Sequence, residues 1–329
     1  VTQPMVRLEN VALDLRVGHD WRPILRDVSL TVAAGEAVGL VGESGSGKSM
    51  TARTIARLLP DRARVTGTVE VNGVEVNSLS GRALRAHRAN VGVIFQDPKA
   101  HINPVRTIGD FMTESLVLTR RQGRSDARRA AVRALEEVGV SRASQRLDQY
   151  PHELSGGLLQ RVMIATTLLT EPPLLLADEP TTALDVTTQA EVVAILDELR
   201  RERGLALVFI THDLDLAGAM CDRTAVMYAG EIVETGPSAT MHSAPRHPYT
   251  QALGSARPSL DHDVNRLPAI PGRPISPAEA PPGCAFEARC PFSIDRCSQE
   301  HPSLEELAGG QARCVRAGTV QELFEEVSR

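Results

Sequence analysis

Short apolar runs such as "VSLTV" and "AVGLVG" fill the stretch from Val6 to about Thr68, which reads as a set of strands. "VTGTVEVNGVEV" alternates around Asn72-Gly73 and predicts a hairpin. Between them the period changes. Ile55, Leu58 and Leu59 follow i, i+3, i+4 spacing, which predicts a helix over 50–59 closed by Pro60. From about Thr107 to Ala165 the pattern is mostly helical, and Ala131, Leu135 and Val138 share one face of one helix. "PLLLAD" and "LALVFITHD" are nearly continuous apolar runs, as expected of strands buried on both faces of a parallel sheet. Helical stretches separate them, so the expected fold class is α/β.

The remaining composition narrows the picture. At 329 residues the chain can hold one large domain and a smaller one. From Pro258 to Pro282 seven prolines fall in twenty-five residues, which reads as an extended linker. A net charge of −5 argues against nucleic acid as the main partner, because a phosphate backbone needs a basic face. Arg120, Arg121, Arg124, Arg128, Arg129 and Arg133 crowd one helical region and read as a solvated face. No run of eighteen apolar residues is present to span a bilayer. "VTQPMVRLEN" lacks an apolar signal core, and the expectation is a cytosolic protein. In that compartment the clustered thiols Cys284, Cys290, Cys297 and Cys314 point to metal binding before disulfides.

"GESGSGKS", Gly42 to Ser49, fits the phosphate-loop pattern G-x-x-x-x-G-K-[ST] between a predicted strand and a predicted helix. Gly42, Gly45 and Gly47 let backbone N–H groups turn inward with no Cβ in the way. Ser44, Ser46 and Met50 complete the candidate nucleotide-binding stretch, and the following helix offers its positive end to an anion. Lys48 can reach β- and γ-phosphates, and the Ser49 hydroxyl can ligate Mg²⁺. A glycine turn without function would not need the lysine and serine in register. In "LLLADEP" an apolar strand ends at Asp178, placed for the Mg²⁺ shell, and Glu179 follows as the group to orient or deprotonate an attacking water. "LSGGLLQR" sets Ser155, Gly156 and Gly157 at the start of an apolar helix, a second helix end prepared for an anion.

Gly157 lies seventeen positions before Leu174 of "LLLADEP", and this order resembles the ATP-binding cassette of ABC transporters. Gln96 in "VIFQDP" matches the family's Q-loop, Asp185 in "TALD" its D-loop, and His212 in "FITHD" its switch histidine. The signature usually ends in Gln, where this chain has Leu158; importers of the oligopeptide/dipeptide type often carry an apolar residue there. "YPHELSGG", "HPYTQAL" and "IPGRPISP…PPGCAFEARCP" also resemble those peptide-importer ATPases, and "GESGSGKSMTARTIARLLP" is nearest their D-type subunit.

The resemblance implies a RecA-like P-loop core, an antiparallel β-subdomain and a helical subdomain carrying the signature. The expected divisions are a cassette over 1–257 with its helical subdomain at about 100–165, a linker over 258–282 and a cysteine segment over 283–329. It implies ATP hydrolysis by a chain peripheral to the cytoplasmic face of a membrane. Glu179, His212 and Gln96 would act in catalysis, and Ser49, Gln96 and Asp178 would hold Mg²⁺. Ser155 to Gly157 would complete the nucleotide site of a partner cassette, and Asp185 would make contacts across that dimer. The implied partners are a paralogous F-type ATPase, two membrane permease subunits and an extracytoplasmic solute-binding protein. The cargo expected is di- or oligopeptides; nickel, glutathione, sugars or opines are the alternatives, and a soluble cassette ATPase outside transport is the alternative of another class. Two local readings stay open. Trp21 is the one large aromatic near the phosphate loop and reads either as the adenine-stacking residue or as an exposed loop tryptophan. The four cysteines have five, six and sixteen residues between them, unlike short zinc pairs or ferredoxin spacings, so buried unligated thiols remain an alternative. The resemblance implies a [4Fe–4S] cluster at these four, with zinc second, and leaves Cys221 as a core thiol.

Overall fold

Alternation in the first thirty residues produces a pair of long antiparallel strands whose inward parity changes partway. A computed structural model describes residues 3–118, 120–182, 184–256 and 270–327. The strands follow in chain order as β1 (Val6–Val17), β2 (Asp20–Val32), β3 (Ala37–Val41), β4 (Ala63–Val71), β5 (Val74–Glu75), β6 (Val91–Ile94), β7 (Leu174–Asp178), β8 (Ala206–Thr211), β9 (Arg223–Tyr228), β10 (Glu231–Pro237), β11 (Glu305–Leu307) and β12 (Gly310–Ala312). On β1 the buried positions run Val6, Leu8, then Val11, Leu13. The shift in phase falls where the β1–β2 register breaks between Leu8 and Val11. Asn10 sits there at a positive φ of 49° and donates from Nδ2 to Asp27 Oδ1 at 2.8 Å. One extra residue in a strand moves every later side chain to the other face, and this bulge does so.

The chain divides into two compact units, Val1–Ser78 with Val208–Arg329, and Leu79–Leu207. In the first, β2, β1, β4 and β5 form an antiparallel sheet in that order. Asn72 and Gly73, both at positive φ, make the tight turn that lets Val71 face Val74, as the alternation predicts. A second layer of the same unit places β3 beside β9 in parallel, with β10, β12 and β11 continuing antiparallel beyond β9. Every residue of β3 and β8 is buried, in keeping with their unbroken apolar sequence.

One predicted element ends early. The helix after the phosphate loop spans Lys48–Ile55, short of the expected 59. Arg57 adopts a positive φ of 57° and donates from Nε to Val76 O at 3.1 Å and from Nη2 to Asn77 O at 2.7 Å. These tertiary bonds turn the chain out of the helix, and the spacing of Leu58 and Leu59 is no longer helical.

The second unit pairs β6 with β7 in parallel and carries helices Ile108–Leu118 and Arg124–Glu137 within the stretch predicted to be helical, and Gly156–Leu168, which runs three residues past its end. Ala131, Leu135 and Val138 are buried on one side. Arg124, Arg129 and Arg133 are exposed on the other, and Arg128 pairs with Asp148 at 2.9 Å. Of the proline-rich stretch, residues 258–269 lie outside the described residues. Beyond it Ile270, Ile275 and Ala280 pack against a first-unit cluster containing Val41, Tyr228, Tyr249 and Phe286. Among the described residues no helix is long and apolar enough to cross a membrane.

Candidate functional site

The six sequence motifs divide between the two units. In the first unit, the loop after β3 is closed by its own lysine. Lys48 is buried, and its Nζ donates to Gly42 O at 2.7 Å and to Glu43 O at 3.0 Å. A Cβ on Gly42 would stand 2.2 Å from Met227 O, and one on Gly47, at φ 109°, would stand 2.8 Å from Leu25 Cδ2. Only glycine lets the loop lie this close to its supports. Ser46 Oγ is buried with no hydrogen-bond partner among the described residues. Ser49 lies in the first turn of the helix, half-buried. His212 follows β8 and is exposed; Asp213 beside it caps helix Leu214–Met220 by accepting from Leu216 N at 2.7 Å. Trp21 lies on β2 with the Arg64 guanidinium 4.3 Å over its ring, a contact that leaves both readings of it open.

In the second unit the strand β7 is buried along its whole length and delivers Asp178 at its end. Glu179 comes next at a positive φ of 47°, which turns its carboxylate back. That carboxylate accepts from Gln96 Nε2 at 3.1 Å and from Thr182 Oγ1 at 2.9 Å. Ser155 caps helix Gly156–Leu168, accepting from Leu158 N at 3.4 Å. Asp185 caps helix Val186–Arg203 through Thr188 N and Oγ1 at 2.9 and 2.8 Å, and these bonds hold its carboxyl below the usual carboxylate range. The signature helix leans on this second cap: a Cβ on Gly157 would meet Thr188 Cγ2 at 2.7 Å, whereas one on Gly156 has 3.9 Å to Leu184.

The cysteine segment belongs to the first unit. Cys284, Cys290, Cys297 and Cys314 all carry free thiols and line one pocket with an internal volume of about 20 Å³, together with Phe286 and Phe292. Burial pushes the Cys284 thiol up to about 12 and Cys290 up to about 11, and raises Cys314 as well; the neighbouring thiols act in the same direction. Among the described residues, no group of three or more His, Cys, Asp or Glu side chains is placed to hold a metal ion. Cys221 is buried apart from this pocket, in the space beside Gly39.

Glu43 is the residue that motif reading passes over, since it occupies a variable position of the phosphate-loop pattern. Its carboxylate accepts two bonds from Arg289, at 2.7 Å from Nη1 and 3.1 Å from Nη2. Its backbone N–H donates to Tyr249 Oη at 2.8 Å. Arg289 is itself buried, held by Pro271 O at 2.7 Å and Tyr228 Oη at 3.3 Å, and flanked by the rings of Tyr228 and Phe286. Only the sequence fragments "HPYTQAL" and "RCP" hinted that these segments matter, without saying to what they attach.

Comparison with known proteins completes the picture. The ABC transporter family model matches residues 25–182, and the model of the oligopeptide/dipeptide transporter C-terminal region matches residues 233–297. The dipeptide transport ATP-binding protein DppD of Escherichia coli is 44% identical, over 87% of this chain and 89% of its own. The oligopeptide transport ATP-binding protein OppD of Salmonella typhimurium is 43% identical, over 88% and 86%. Among solved structures, the post-hydrolysis dimer of the ATP-binding cassette MJ0796 bound to ADP and Pi is similar over 71% of this chain and 99% of its own, with a TM-score of 0.64 and 30% identity. With both models matched in order and such relatives aligned along most of their length, the chain belongs to the ABC-transporter ATP-binding proteins that carry the oligopeptide/dipeptide-transporter C-terminal region.

Proposed function

We propose that this chain is the ATP-hydrolysing subunit of a peptide importer. The observation that carries the reading is the phosphate loop. Three glycines at positive φ and an inward-lying lysine precede helix Lys48–Ile55, the backbone arrangement in which loop N–H groups and a helix end can receive a polyphosphate. Gly42 and Ser44 to Met50 bind the nucleotide, with Lys48 on the β- and γ-phosphates. The Ser49 hydroxyl, the Gln96 side-chain oxygen and the Asp178 carboxylate are hard oxygen donors that fit Mg²⁺, which when bound offsets charge on the phosphates. Glu179 orients the attacking water and takes its proton, and His212 bonds the γ-phosphate. Ser155, Gly156 and Gly157 serve the nucleotide of a facing cassette, with Asp185 at that contact.

Peptide is preferred over nickel, glutathione, sugars or opines because the relatives aligned along most of this chain are dipeptide and oligopeptide transport proteins. Two permease subunits fed by a solute-binding protein are the partners of this reading, and pairing with a paralogous F-type ATPase rests on the D-type resemblance of the sequence alone. A chain with no membrane-crossing helix among its described residues would then sit peripherally on the cytoplasmic side of that complex.

The four cysteines fit a [4Fe–4S] cluster on two grounds: they are four thiols, and they line one apolar pocket. Zinc is the second reading of the same four thiols. Bound as thiolates, Cys284, Cys290, Cys297 and Cys314 would tie together a segment with few regular elements, a structural staple and not an electron carrier. The test of the main reading is reconstitution with the neighbouring permease and binding-protein genes. ATP hydrolysis stimulated by a peptide-loaded binding protein, with uptake of that peptide, is expected. Hydrolysis indifferent to every peptide yet stimulated by another cargo would replace the peptide reading.

A further inference from the structure

We infer that Arg289 and Tyr249 are positioning residues for nucleotide binding: they hold Glu43 and neutralise its charge, so that the C-terminal region sets the ATP affinity of the phosphate loop. The inference rests on the reading of Gly42 and Ser44 to Met50 as the ATP site.

Every polar group of Glu43 is committed. Its N–H goes to Tyr249 Oη, and its carbonyl oxygen accepts from Lys48 Nζ and from Ser46 N at 3.3 Å. Its carboxylate takes the two-pronged bond from Arg289. The lysine that should meet the phosphates is thus hydrogen-bonded to a residue whose two ends are held by the C-terminal region. That hold is rigid. Tyr228, Tyr249 and Phe286 pack with ring centroids 4.8 to 5.3 Å apart, and Arg289 is wedged beside them.

The electrostatics give the arrangement a sign. A carboxylate on a loop that cradles polyphosphate repels its own ligand. Arg289 draws that carboxylate into a paired state and offsets it with a buried guanidinium that the adjacent carboxylate and Tyr228 hold firmly protonated. Were Arg289 lost, the loop would keep an uncompensated negative charge as well as losing an anchor. Were Glu43 lost too, the repulsion would vanish with it. A residue that merely folds the C-terminal segment has no reason to behave in this way.

The full-length chain is titrated with the β,γ-imido analogue of ATP and Mg²⁺, and separately with AMP, at two ionic strengths. Arg289→Met should weaken binding of the triphosphate analogue roughly tenfold at low salt, and less at high salt. AMP affinity should stay within about twofold, since its single phosphate does not reach the Lys48 end. Glu43→Gln alone should cost about threefold or less, and Glu43→Gln added to Arg289→Met should recover most of the loss. Tyr249→Phe removes the acceptor of the Glu43 N–H and should weaken the triphosphate selectively. A double variant as weak as Arg289→Met overturns the inference, as does a loss shared equally by AMP. If Arg289→Met fails to fold, Arg289→Lys keeps the charge without the fork and should fall between the two. In that case Lys behaving as wild type at both salts overturns the two-pronged hold. Failure of the wild-type chain to bind the triphosphate would instead remove the ATP reading itself.

Discussion

Gln96 and Glu179, eighty-three residues apart, meet at 3.1 Å, the amide of the first donating to the carboxylate of the second. Thr182 donates to the same oxygen at 2.9 Å. Two donors thus fix the orientation of the carboxylate directly after Asp178, as the proposed water-activating role would require.

Glu179→Gln should accordingly keep nucleotide binding and lower turnover by roughly 10²–10³-fold, the usual effect of removing one preorganised polar group. ATP turnover of the assembled transporter is the measurement, with binding of the imido analogue as control. Turnover within threefold of wild type would remove Glu179 from the reaction.

The two signature glycines should respond differently to alanine. Gly156→Ala has room, with Leu184 Cδ2 at 3.9 Å, and gains helix propensity at the start of helix Gly156–Leu168. Gly157→Ala drives a methyl to 2.7 Å from Thr188 Cγ2, and forcing such a contact costs about 1–3 kcal/mol. Thermal unfolding of the two variants checks this. Equal Tm values would mean the packing of this helix on the Asp185-capped helix is not tight.

His247 predicts a pH dependence of definite sign. It is fully buried, accepts from Tyr249 N at 3.0 Å and lies near Arg313; burial lowers its pKa to about 3 from an ordinary value of 6.5. The unfolded chain takes up a proton that the folded chain refuses, so the contribution is present above pH 6.5 and lost as pH falls toward 3. His247→Asn keeps an acceptor for the Tyr249 N–H and cannot titrate. Between pH 7 and 4.5 the stability advantage of wild type over this variant should shrink by about 2 kcal/mol, in urea melts. Glu234, raised to about 7 by burial, acts with the opposite sign over part of this range, because its protonation favours the folded chain. Comparing two proteins that both retain Glu234 removes that contribution. A constant difference across the range would contradict the assignment.

Anaerobic purification followed by iron and acid-labile sulfide analysis should find about four of each per chain if the cysteines hold a cubane cluster. Chelation or oxidation should then lower Tm and expose the thiols to alkylation. Absence of iron and zinc with an ordered C-terminal segment would mean four buried thiols and no more.

What could be read in the chain alone was whatever depends on residue type and short spacing. The phosphate loop needs glycines where Cβ atoms cannot go and a lysine at its end. Asn72-Gly73 suits the positive φ values of a two-residue turn. Buried parallel strands such as β3 and β7 show as unbroken apolar runs. Contacts across long separations were beyond it, because they depend on which strands become neighbours. Arg289 reaches Glu43 across 246 residues because β9, which ends at Tyr228, lies beside β3 and Phe286 packs on that tyrosine. The early end of the helix at Ile55 likewise follows from Arg57 binding carbonyls of Val76 and Asn77. The cysteines were visible as a cluster by number, but spacings of five, six and sixteen match no local ligand pattern. Only folding, which packs Cys284 and Cys290 against the cluster of Tyr228, Tyr249 and Phe286, places the four around a single pocket.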